Sequence, residues 1–469
     1  MATELNYLRE LARFVADIRF EVLPTQTVEH AQLVILDYLS ASMAGWRVNP
    51  VFNQAACRVF GGMGGTPEST VLFSNLKLPA GNAAFVNAGF GHGADLDDGN
   101  RKAQGHPAVV VVPTALAMAQ KGGNDGTDVI AAIVAGYEIY TRISTAMMPE
   151  LFLRGFHGTG LIGALASAAV AAKLIGLDAD GIHNAISLAA VSAAGLLHVS
   201  VQSAMVKPVN PANAVRVGIT AALMVQQGVV APQEPLLGER GFFHMFVGDA
   251  FCTEELLQNL GKPYLITQNY FKLYAACRHA HAMVDCAIQL CRQGVKAEQI
   301  EHVRLRVYPM AFSAVCQYIM PQNEDEAKFS MTYSTAIALQ NGAYRLNDLF
   351  SATAMTLESR ELIGRMELVS DSSMEDRARG VRGARLEVMT KQGEAFAAQV
   401  DLPKGDPENP VTCEDLRVKL SDCAQGLFSE EQQNRIYELC MSIPALEDME
   451  MLAQALCIAS VPAASATKR

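Results

Sequence analysis

The most constraining feature of the chain is a segment that is apolar on nearly every side. Residues 161–175 consist of Leu, Ile, Val, Ala and Gly, interrupted only by Ser167 and Lys173. A helix that is apolar all round has to be surrounded by protein or lipid. The run from residue 161 to 172 is about a dozen residues, short of the roughly 20 that cross a bilayer. We therefore predict a helix at the centre of a soluble bundle, ending near Gly176.

The helical pattern extends from residue 5 to about 261. Residues 25–44 place apolar side chains three and four positions apart, which predicts an amphipathic helix. Helices rich in small residues are predicted at 182–197 and 212–227. No internal repeat is present.

The pattern changes after about residue 263. Residues 301–308 alternate between apolar and polar, which is the period of a half-exposed strand. Residues 385–390 and 395–400 flank a polar turn and predict a β-hairpin. The remaining predictions here are helices at 326–341 and 347–360, a linker at 401–410, a helical tail over 413–456 that packs on the first domain, and a frayed end at 462–469.

Composition excludes several classes of protein. Lys plus Arg number 37 and Asp plus Glu 48 among 469 residues, a net charge of −11, and no basic run breaks this balance. A nucleic-acid-binding surface is therefore not expected, and binding of an anion would need positive charge concentrated at its site. The N-terminus lacks a signal-peptide pattern, and the ten cysteines form no C-x-x-C pair. These features predict a cytoplasmic protein with reduced thiols, no membrane segment and two to four domains at roughly 100–200 residues each.

The densest polar cluster occupies residues 91–107. It holds His92, three aspartates, Arg101, Lys102 and His106 between two apolar segments. A calcium loop is excluded because its sixth and twelfth positions are Asn100 and His106. The glycines lack the spacing of a dinucleotide fingerprint, and one tryptophan is too few for the aromatic pocket of a terpene cyclase. A catalytic cluster and a solvated turn with capping aspartates both remain open.

Four further segments are candidates. His157 and Thr159 immediately precede the very apolar helix, where backbone N–H groups favour an anion or the residues simply cap the helix. Lys207 lies between apolar residues and prolines, and a buried lysine is expected to contact an anion; a Schiff-base lysine is an alternative. His279 and His281 have the spacing of metal ligands on a strand, but further ligands are not evident. Tyr333 is either a core residue or a proton donor.

Together these segments resemble the MmgE/PrpD family, which includes methylcitrate dehydratases, cis-aconitate decarboxylases and iminodisuccinate epimerases. The motifs that carry the resemblance are Asn87-Ala, His92-x-x-Asp95-x-Asp97-Asp98, His106-Pro107, Gly136-Tyr-Glu138 with Arg142, Phe156-His157-x-Thr159-Gly160, Lys207-Pro208, Gly238-x-x-Gly241-Phe242, Lys272 with His281, and Glu326-Ala-Lys-Phe-Ser330-x-x-Tyr333.

The resemblance implies a mainly α fold and a homodimer. Each subunit would have a large all-α domain, residues 1–265 completed by 401–469, and a smaller α+β lid domain, residues 266–400. A small di- or tricarboxylate would bind between the two domains. No metal or organic cofactor is implied.

The same resemblance implies where the active site lies. The catalytic residues carried over are Asp95, His106, His157, Lys207 and Tyr333, and those expected to bind substrate are Lys272, Arg278, His281, Arg101 and Thr159. Lysines and histidines from separate segments can neutralise a polycarboxylate. His or Asp can move a proton next to a carboxylate, and nearby cations stabilise the enediolate-like charge that develops. The absence of C-x-x-C argues against the iron–sulfur route of unrelated aconitases.

Departures from the family motifs bear on the reaction. Where this chain has Asp97-Asp98-Gly99, the decarboxylase branch has a motif that resembles Asp-Asp-Thr. Where this chain has Cys277, that branch has a histidine. The Asn-Asp-Thr-Trp run of bacterial methylcitrate dehydratases is also absent. Dehydration of a methylcitrate-like substrate is the leading prediction and decarboxylation is disfavoured. Epimerisation of an iminodisuccinate-like dicarboxylate is the alternative within the family, and a non-catalytic carboxylate-binding protein is the alternative from another class.

Overall fold

The computed structural model describes residues 6–200, 204–376 and 380–458. The predicted frayed end at 462–469 lies outside these residues. The described chain is mainly helical with one four-stranded sheet and two two-stranded sheets, which confirms the predicted fold class. None of its helices combines the length and the apolar character that a bilayer crossing requires.

The helices of the first half are α1 (Tyr7–Asp17), α2 (Thr25–Val48), α3 (Pro50–Met63), α4 (Ala80–His92), α5 (Ala108–Gly122), α6 (Gly126–Met147), α7 (Glu150–Leu153), α8 (Gly158–Leu174), α9 (Ala179–Ala190), α10 (Val209–Gln226), α11 (Phe242–Val247) and α12 (Glu254–Leu257). Those of the second half are α13 (His281–Arg292), α14 (Pro309–Val315), α15 (Glu324–Ala327), α16 (Met331–Asn341), α17 (Leu346–Phe350), α18 (Leu357–Gly364), α19 (Cys413–Ala424), α20 (Glu430–Met441) and α21 (Glu450–Ala455).

The strands are β1 (Ser69–Thr70), β2 (Lys77–Leu78), β3 (Ile300–Val307), β4 (Met366–Ser370), β5 (Glu375–Asp376), β6 (Val381–Arg382), β7 (Ala384–Thr390) and β8 (Ala395–Val400).

The apolar segment forms α8 and lies at the centre of the helical bundle, as predicted. It contacts α5, α6, α9 and α10 and is buried along almost its whole length. Small residues let these helices approach closely: a Cβ on Gly218 of α10 would lie 2.5 Å from the backbone nitrogen of Ala168 in α8.

The predicted helix at 182–197 is shorter than expected, since α9 ends at Ala190. After Ala190 the chain is no longer helical, and the carbonyl oxygen of Gly195 accepts a hydrogen bond from the His157 amide at 3.0 Å. The single helices predicted at 326–341 and 347–360 are each divided, into α15 and α16 and into α17 and α18. The hydroxyl of Ser330 starts α16 by accepting from the Tyr333 amide at 3.2 Å.

The four-stranded sheet has the order β4-β3-β7-β8, with β3 parallel to β4 and the other neighbours antiparallel. The sequence located β3, β7 and β8 to within one residue. It missed the two-residue strands β1, β2, β5 and β6, because so short a strand shows no alternation, and it also missed the five-residue strand β4. Helix α13 covers the sheet on the β7 and β8 side.

The helical tail returns to the first helices of the chain. Helix α19 contacts α2, and Lys419 Nζ lies 2.6 Å from the carboxylate of Asp37 and 2.9 Å from the carbonyl oxygen of Leu96. Both side chains of this ion pair are almost fully buried. The two ends of the chain therefore share one helical core, while the exact division at 265 and 401 stays a prediction.

Candidate active site

The loop between α4 and α5 is buried rather than solvated. Asp95 is 5% exposed, and Asp97 and Asp98 are fully buried. Asp95 adopts the left-handed backbone conformation with φ of 54°, which is uncommon for a residue with a side chain. Because three buried carboxyl groups need specific partners, the interpretation of this segment as a solvated turn is wrong.

Asp95 is paired with two lysines from distant parts of the chain. Lys207 Nζ lies 2.5 Å from Asp95 Oδ1, and Lys272 Nζ lies 3.4 Å from the same oxygen while donating to the Asp95 carbonyl oxygen at 2.8 Å. Burial alone would raise the pKa of Asp95, but Lys207 and Lys272 outweigh it and hold the pKa well below its usual value. The sequence predicted that Lys207 would need an anion; it did not foresee that Asp95 already supplies one.

Asp97 joins two histidines. Its Oδ2 lies 2.8 Å from His92 Nδ1 and 3.4 Å from His106 Nδ1. The ring of His92 in turn lies between those of His106 and His157, with centroid distances of 5.1 and 5.6 Å. Burial raises the pKa of Asp97, but the neighbouring histidines outweigh it and lower the pKa below its usual value. Two imidazoles therefore share one ionised carboxylate, and the third, that of His157, stacks on His92.

Fixed hydrogen bonds set the tautomers of the two predicted catalytic histidines. His106 Nδ1 lies 2.5 Å from the carbonyl oxygen of Asp98, which can only accept, so the ring proton is on Nδ1 and Nε2 carries a lone pair. His157 Nδ1 lies 3.1 Å from Asn210 Nδ2, and that amide nitrogen also donates to the Leu196 carbonyl oxygen at 3.0 Å. Because the amide must present its N–H group, His157 Nδ1 accepts and its proton is on Nε2.

Burial keeps both histidines neutral. It lowers the pKa of His106 to about 3 and the pKa of His157 well below its usual value. The positive charge of Lys207 acts in the same direction on both, since it disfavours a second cation nearby. The site therefore presents one imidazole with an available lone pair and one with an available N–H group.

Asp98 anchors the loop that precedes His106. Its carboxyl accepts from the Ala108 amide at 3.0 Å, the Tyr137 hydroxyl at 2.7 Å and Asn269 Nδ2 at 2.5 Å. Burial raises the pKa of Asp98 to about 7. Thr159, predicted to bind substrate, instead accepts from the His106 amide at 3.3 Å and supports the same loop.

The structure does not bring three of the other predicted residues into contact with this cluster. Tyr333 is buried and its hydroxyl donates to the carbonyl oxygen of Asp348, so it serves the core. Arg278 and Arg101 both pair with Asp406, at 2.7 and 3.5 Å. Asp406 lies in the predicted linker at 401–410, so both arginines form ion pairs with the linker. A sequence motif does not distinguish an arginine that pairs with a linker from one that binds substrate.

His281 and His279 do not form a metal pair. His281 Nε2 lies 3.1 Å from the carbonyl oxygen of Ala276, and its Nδ1 lies 3.2 Å from Arg278 Nη1. His279 Nδ1 instead contacts the Tyr308 hydroxyl. Across the described ranges no group of three or more His, Cys, Asp or Glu side chains is arranged to hold a metal ion.

Sequence reasoning left three residues of this cluster out of the predicted site. His92 and Asp97 belong to the motif that also contains Asp95, so their spacing within one buried loop was the available signal. Asn210, three residues after Lys207, carried no signal of its own, because its role depends on the carbonyl group of Leu196.

Comparisons with known proteins identify a family that spans most of the chain. The MmgE/PrpD N-terminal domain family matches residues 9–254, and the MmgE/PrpD C-terminal domain family matches residues 274–443. A cis-aconitate decarboxylase-like protein (oryM) of Aspergillus oryzae is 28% identical, over 96% of this chain and 97% of its own. The cis-aconitate decarboxylases of Aspergillus terreus and Homo sapiens are 27% and 26% identical, over 95% and 92% of this chain and 95% and 90% of theirs.

Proposed function

The chain belongs to the MmgE/PrpD family, and from that premise we propose that it is a lyase that dehydrates a small di- or tricarboxylate. The reaction removes a proton from the carbon next to a carboxylate and expels hydroxide from the neighbouring carbon. The observation that carries this proposal is the tautomer difference between His106 and His157. Elimination needs both a base and a hydrogen-bond donor, and these two residues supply them.

The lysines define the class of substrate. An ammonium group has three N–H donors, and Lys207 uses one of them on Asp95. Its remaining donors, in a position only 11% exposed, are suited to a substrate carboxylate because charge-assisted hydrogen bonds are strong there. Lys272 contacts both the carboxylate and the carbonyl oxygen of Asp95, at 3.4 and 2.8 Å, and adds to the positive charge of the site.

His106 is the proposed base. Its Nε2 lone pair is free, and its low pKa keeps it unprotonated at neutral pH. Once it has taken the proton, the imidazolium is stabilised by the Asp97 carboxylate 3.4 Å from Nδ1. This is the role that a positioned carboxylate has beside a catalytic histidine.

His157 is the proposed donor. Because Asn210 occupies its Nδ1, the ring can donate only through Nε2. A neutral imidazole held in this way can stabilise the oxygen on which negative charge develops, either the departing hydroxide or the enediolate. The ring of His92, whose Nδ1 is bonded to Asp97, lies between the rings of His106 and His157.

Decarboxylation is the second candidate, because the relatives named above are cis-aconitate decarboxylases or a decarboxylase-like protein. That reaction leaves a carbanion that must be protonated, so it needs a protonated acid rather than a free base. The neutral state of His106 supports dehydration over this alternative. Cys277 also replaces the histidine of that branch.

The family premise leads to two further proposals. We propose that residues 266–400 form a lid over the site carried by 1–265 and 401–469, with Lys272 entering from the lid side. We also propose a homodimer that acts without a metal or an organic cofactor. Light scattering on the purified protein tests the dimer: a monomer at micromolar concentration would contradict it.

The reaction is tested by incubating the protein with methylcitrate, citrate, cis-aconitate and iminodisuccinate in D₂O. Appearance of an absorbing alkene supports dehydration, and release of CO₂ supports decarboxylation instead. Deuterium in otherwise unchanged iminodisuccinate would indicate epimerisation. Saturable binding without exchange or turnover would indicate a carboxylate-binding protein and contradict the proposal.

A further inference from the structure

We propose that a second cavity, behind the loop that carries His106, binds a small oxyanion of the phosphate or carboxylate type. This cavity, the rear cavity, has a volume of about 250 Å³ and is lined by Lys102, Thr141, Arg142, Thr145, Glu255 and Lys262 among others. It lies between α6, residues 100–102 and residues 255–268. The inference does not depend on the proposed function.

Three lining side chains of α6 have polar atoms without a partner. Thr141 Oγ1, Thr145 Oγ1 and Arg142 Nη2 are buried and make no hydrogen bond within the described residues. A helical threonine ordinarily donates to the carbonyl group four residues earlier, as Thr114 does to Val110 at 2.7 Å. Leaving buried donors unpaired is costly, and such groups beside a cavity indicate that something else accepts from them.

Arg142 is held in place for this role. Its Nε lies 2.8 Å from Glu138 Oε2 and its Nη1 donates to the Gln258 carbonyl oxygen at 2.8 Å, so the guanidinium is fixed while Nη2 is unused. The side chain is only 2% exposed. A guanidinium held rigidly with a spare N–H group is well suited to an oxyanion.

The charge of the lining favours an anion. Lys102 and Lys262 are exposed and have no ion-pair partner in the part of the chain that the structure describes, while Glu255 is the only acid among the described lining residues. This local excess of positive charge occurs in a protein of net charge −11. A small anion is therefore favoured over a cation or an apolar ligand.

The rear cavity also adjoins both sides of the candidate active site. Asn100 donates to both sides: its backbone N–H donates to the Gly105 carbonyl oxygen at 3.0 Å, in the loop that leads to His106, and its side-chain Nδ2 donates to the Gln268 carbonyl oxygen at 3.2 Å. Residue 268 leads directly into the segment of Lys272. An oxyanion bound there would brace the two segments that supply a histidine and a lysine.

The test is calorimetric titration of the full chain with inorganic phosphate and, separately, with acetate. We expect saturable binding of phosphate or acetate at the rear cavity, with affinity about tenfold weaker in the Thr141→Val/Thr145→Val double variant, since each change removes a hydrogen-bond donor to a charged group. Acetate that binds at Lys207 should be unaffected by this variant. The double variant should fold at least as stably as the wild type, because valine keeps the shape and removes an unpaired hydroxyl.

Two further variants are compared with the double threonine variant. Thr114→Val makes the same chemical change where the hydroxyl is already bonded, and should leave anion binding unchanged. Lys102→Gln/Lys262→Gln alters only exposed side chains and should weaken binding while folding normally. Weaker phosphate binding in the cavity variants assigns the site to phosphate, and weaker acetate binding assigns it to carboxylates. Absence of saturable binding by both anions, or equal binding in all variants, would overturn the proposal.

Discussion

The ring of His106 and the backbone of Asp98 are joined by a hydrogen bond of 2.5 Å from Nδ1 to the carbonyl oxygen. The bond spans one loop, and it decides which ring nitrogen can act as a base. The side chain of Asp98 is itself held by Tyr137, Asn269 and the Ala108 amide. The chemistry of the histidine therefore depends on how firmly this loop is anchored.

Replacing His106 with glutamine should lower kcat by about 100-fold or more, because general-base catalysis contributes roughly that much. KM should change much less, since the lysines that bind the substrate remain. Steady-state kinetics on the substrate found in D₂O measures both constants. His302→Gln, on the exposed part of β3, is the matched control and should retain wild-type kcat. Equal kcat in wild type and His106→Gln would rule out the base role.

Asn210→Asp should reverse the tautomer of His157. A carboxylate at this position would accept from Nδ1–H, remove the donor at Nε2 and raise the pKa of the ring. We expect kcat to fall about tenfold or more at neutral pH and to recover as the pH is lowered, because protonation of the ring restores the Nε2–H group. Asn184→Asp on α9 makes the same substitution where the side chain donates to the Asp180 carbonyl oxygen, and should leave kcat and its pH dependence unchanged. An unaltered pH profile in Asn210→Asp would refute the tautomer assignment.

Lys207→Met should cost about 2–4 kcal/mol of transition-state stabilisation, as expected for a desolvated charged hydrogen bond. If Lys207 were buried without a partner, this variant would fold as well as the wild type or better. The ion pair with Asp95 changes that expectation: removing Lys207 leaves the buried carboxylate with Lys272 alone, and the free energy of unfolding should fall by about 1–3 kcal/mol.

The double variant Lys207→Met/Asp95→Asn separates the two effects. Neutralising both partners should restore most of the lost stability without restoring kcat/KM. Chemical denaturation and kinetics on the same samples provide both quantities. A single variant as stable as the wild type would show that the ion pair contributes nothing to folding.

The contributions of His106 and His279 to stability should fall as the pH drops below about 6.5, while the carboxyl group of Asp98, whose pKa burial raises to about 7, acts in the opposite direction. The pKa of a histidine in the unfolded chain is about 6.5, whereas in the folded protein burial lowers the pKa of His106 to about 3 and that of His279 to about 3. Between these values the unfolded chain binds the extra protons, so each group lowers the free energy of unfolding by about 1.4 kcal/mol per pH unit. Denaturation of His106→Gln between pH 4.5 and 6 should show a slope shallower by that amount; identical slopes would contradict the assignment.

Activity should survive EDTA. The proposed steps use His106, His157 and the lysines, and His279 and His281 bind different partners rather than a common ion. Metal analysis of the active protein should find less than one zinc or iron per chain. Loss of turnover on chelation, reversed by a single metal, would require a different mechanism.

Helix α8 and strands β3, β7 and β8 could be predicted because each carries its own period or composition. The convergence of Asp95, His157, Lys207 and Lys272 was anticipated from motifs rather than from any local pattern. Tyr333 was misjudged because a buried tyrosine has the same sequence context whether its hydroxyl faces a ligand or, as here, the Asp348 carbonyl oxygen.

The electrostatics of the site could not be predicted from the sequence, for a related reason. The pairing of Lys207 with Asp95 and the tautomer of His157 both depend on groups more than ten residues away along the chain, namely residue 95 for Lys207 and residue 196 for Asn210. Neither spacing nor composition encodes such contacts. They exist only once the bundle brings α4, α8 and α10 together.

The proposed role of His106 is to move a proton at the carbon next to a carboxylate. The most direct measurement is NMR of the reverse reaction in D₂O, in which the protein hydrates the alkene product of whichever polycarboxylate it turns over. We predict one deuterium at that carbon and a hydroxyl on its neighbour with the wild type, no release of CO₂, and loss of the reaction in His106→Gln although the polycarboxylate still binds. Release of CO₂, or deuterium incorporation at the wild-type rate in His106→Gln, would contradict the account.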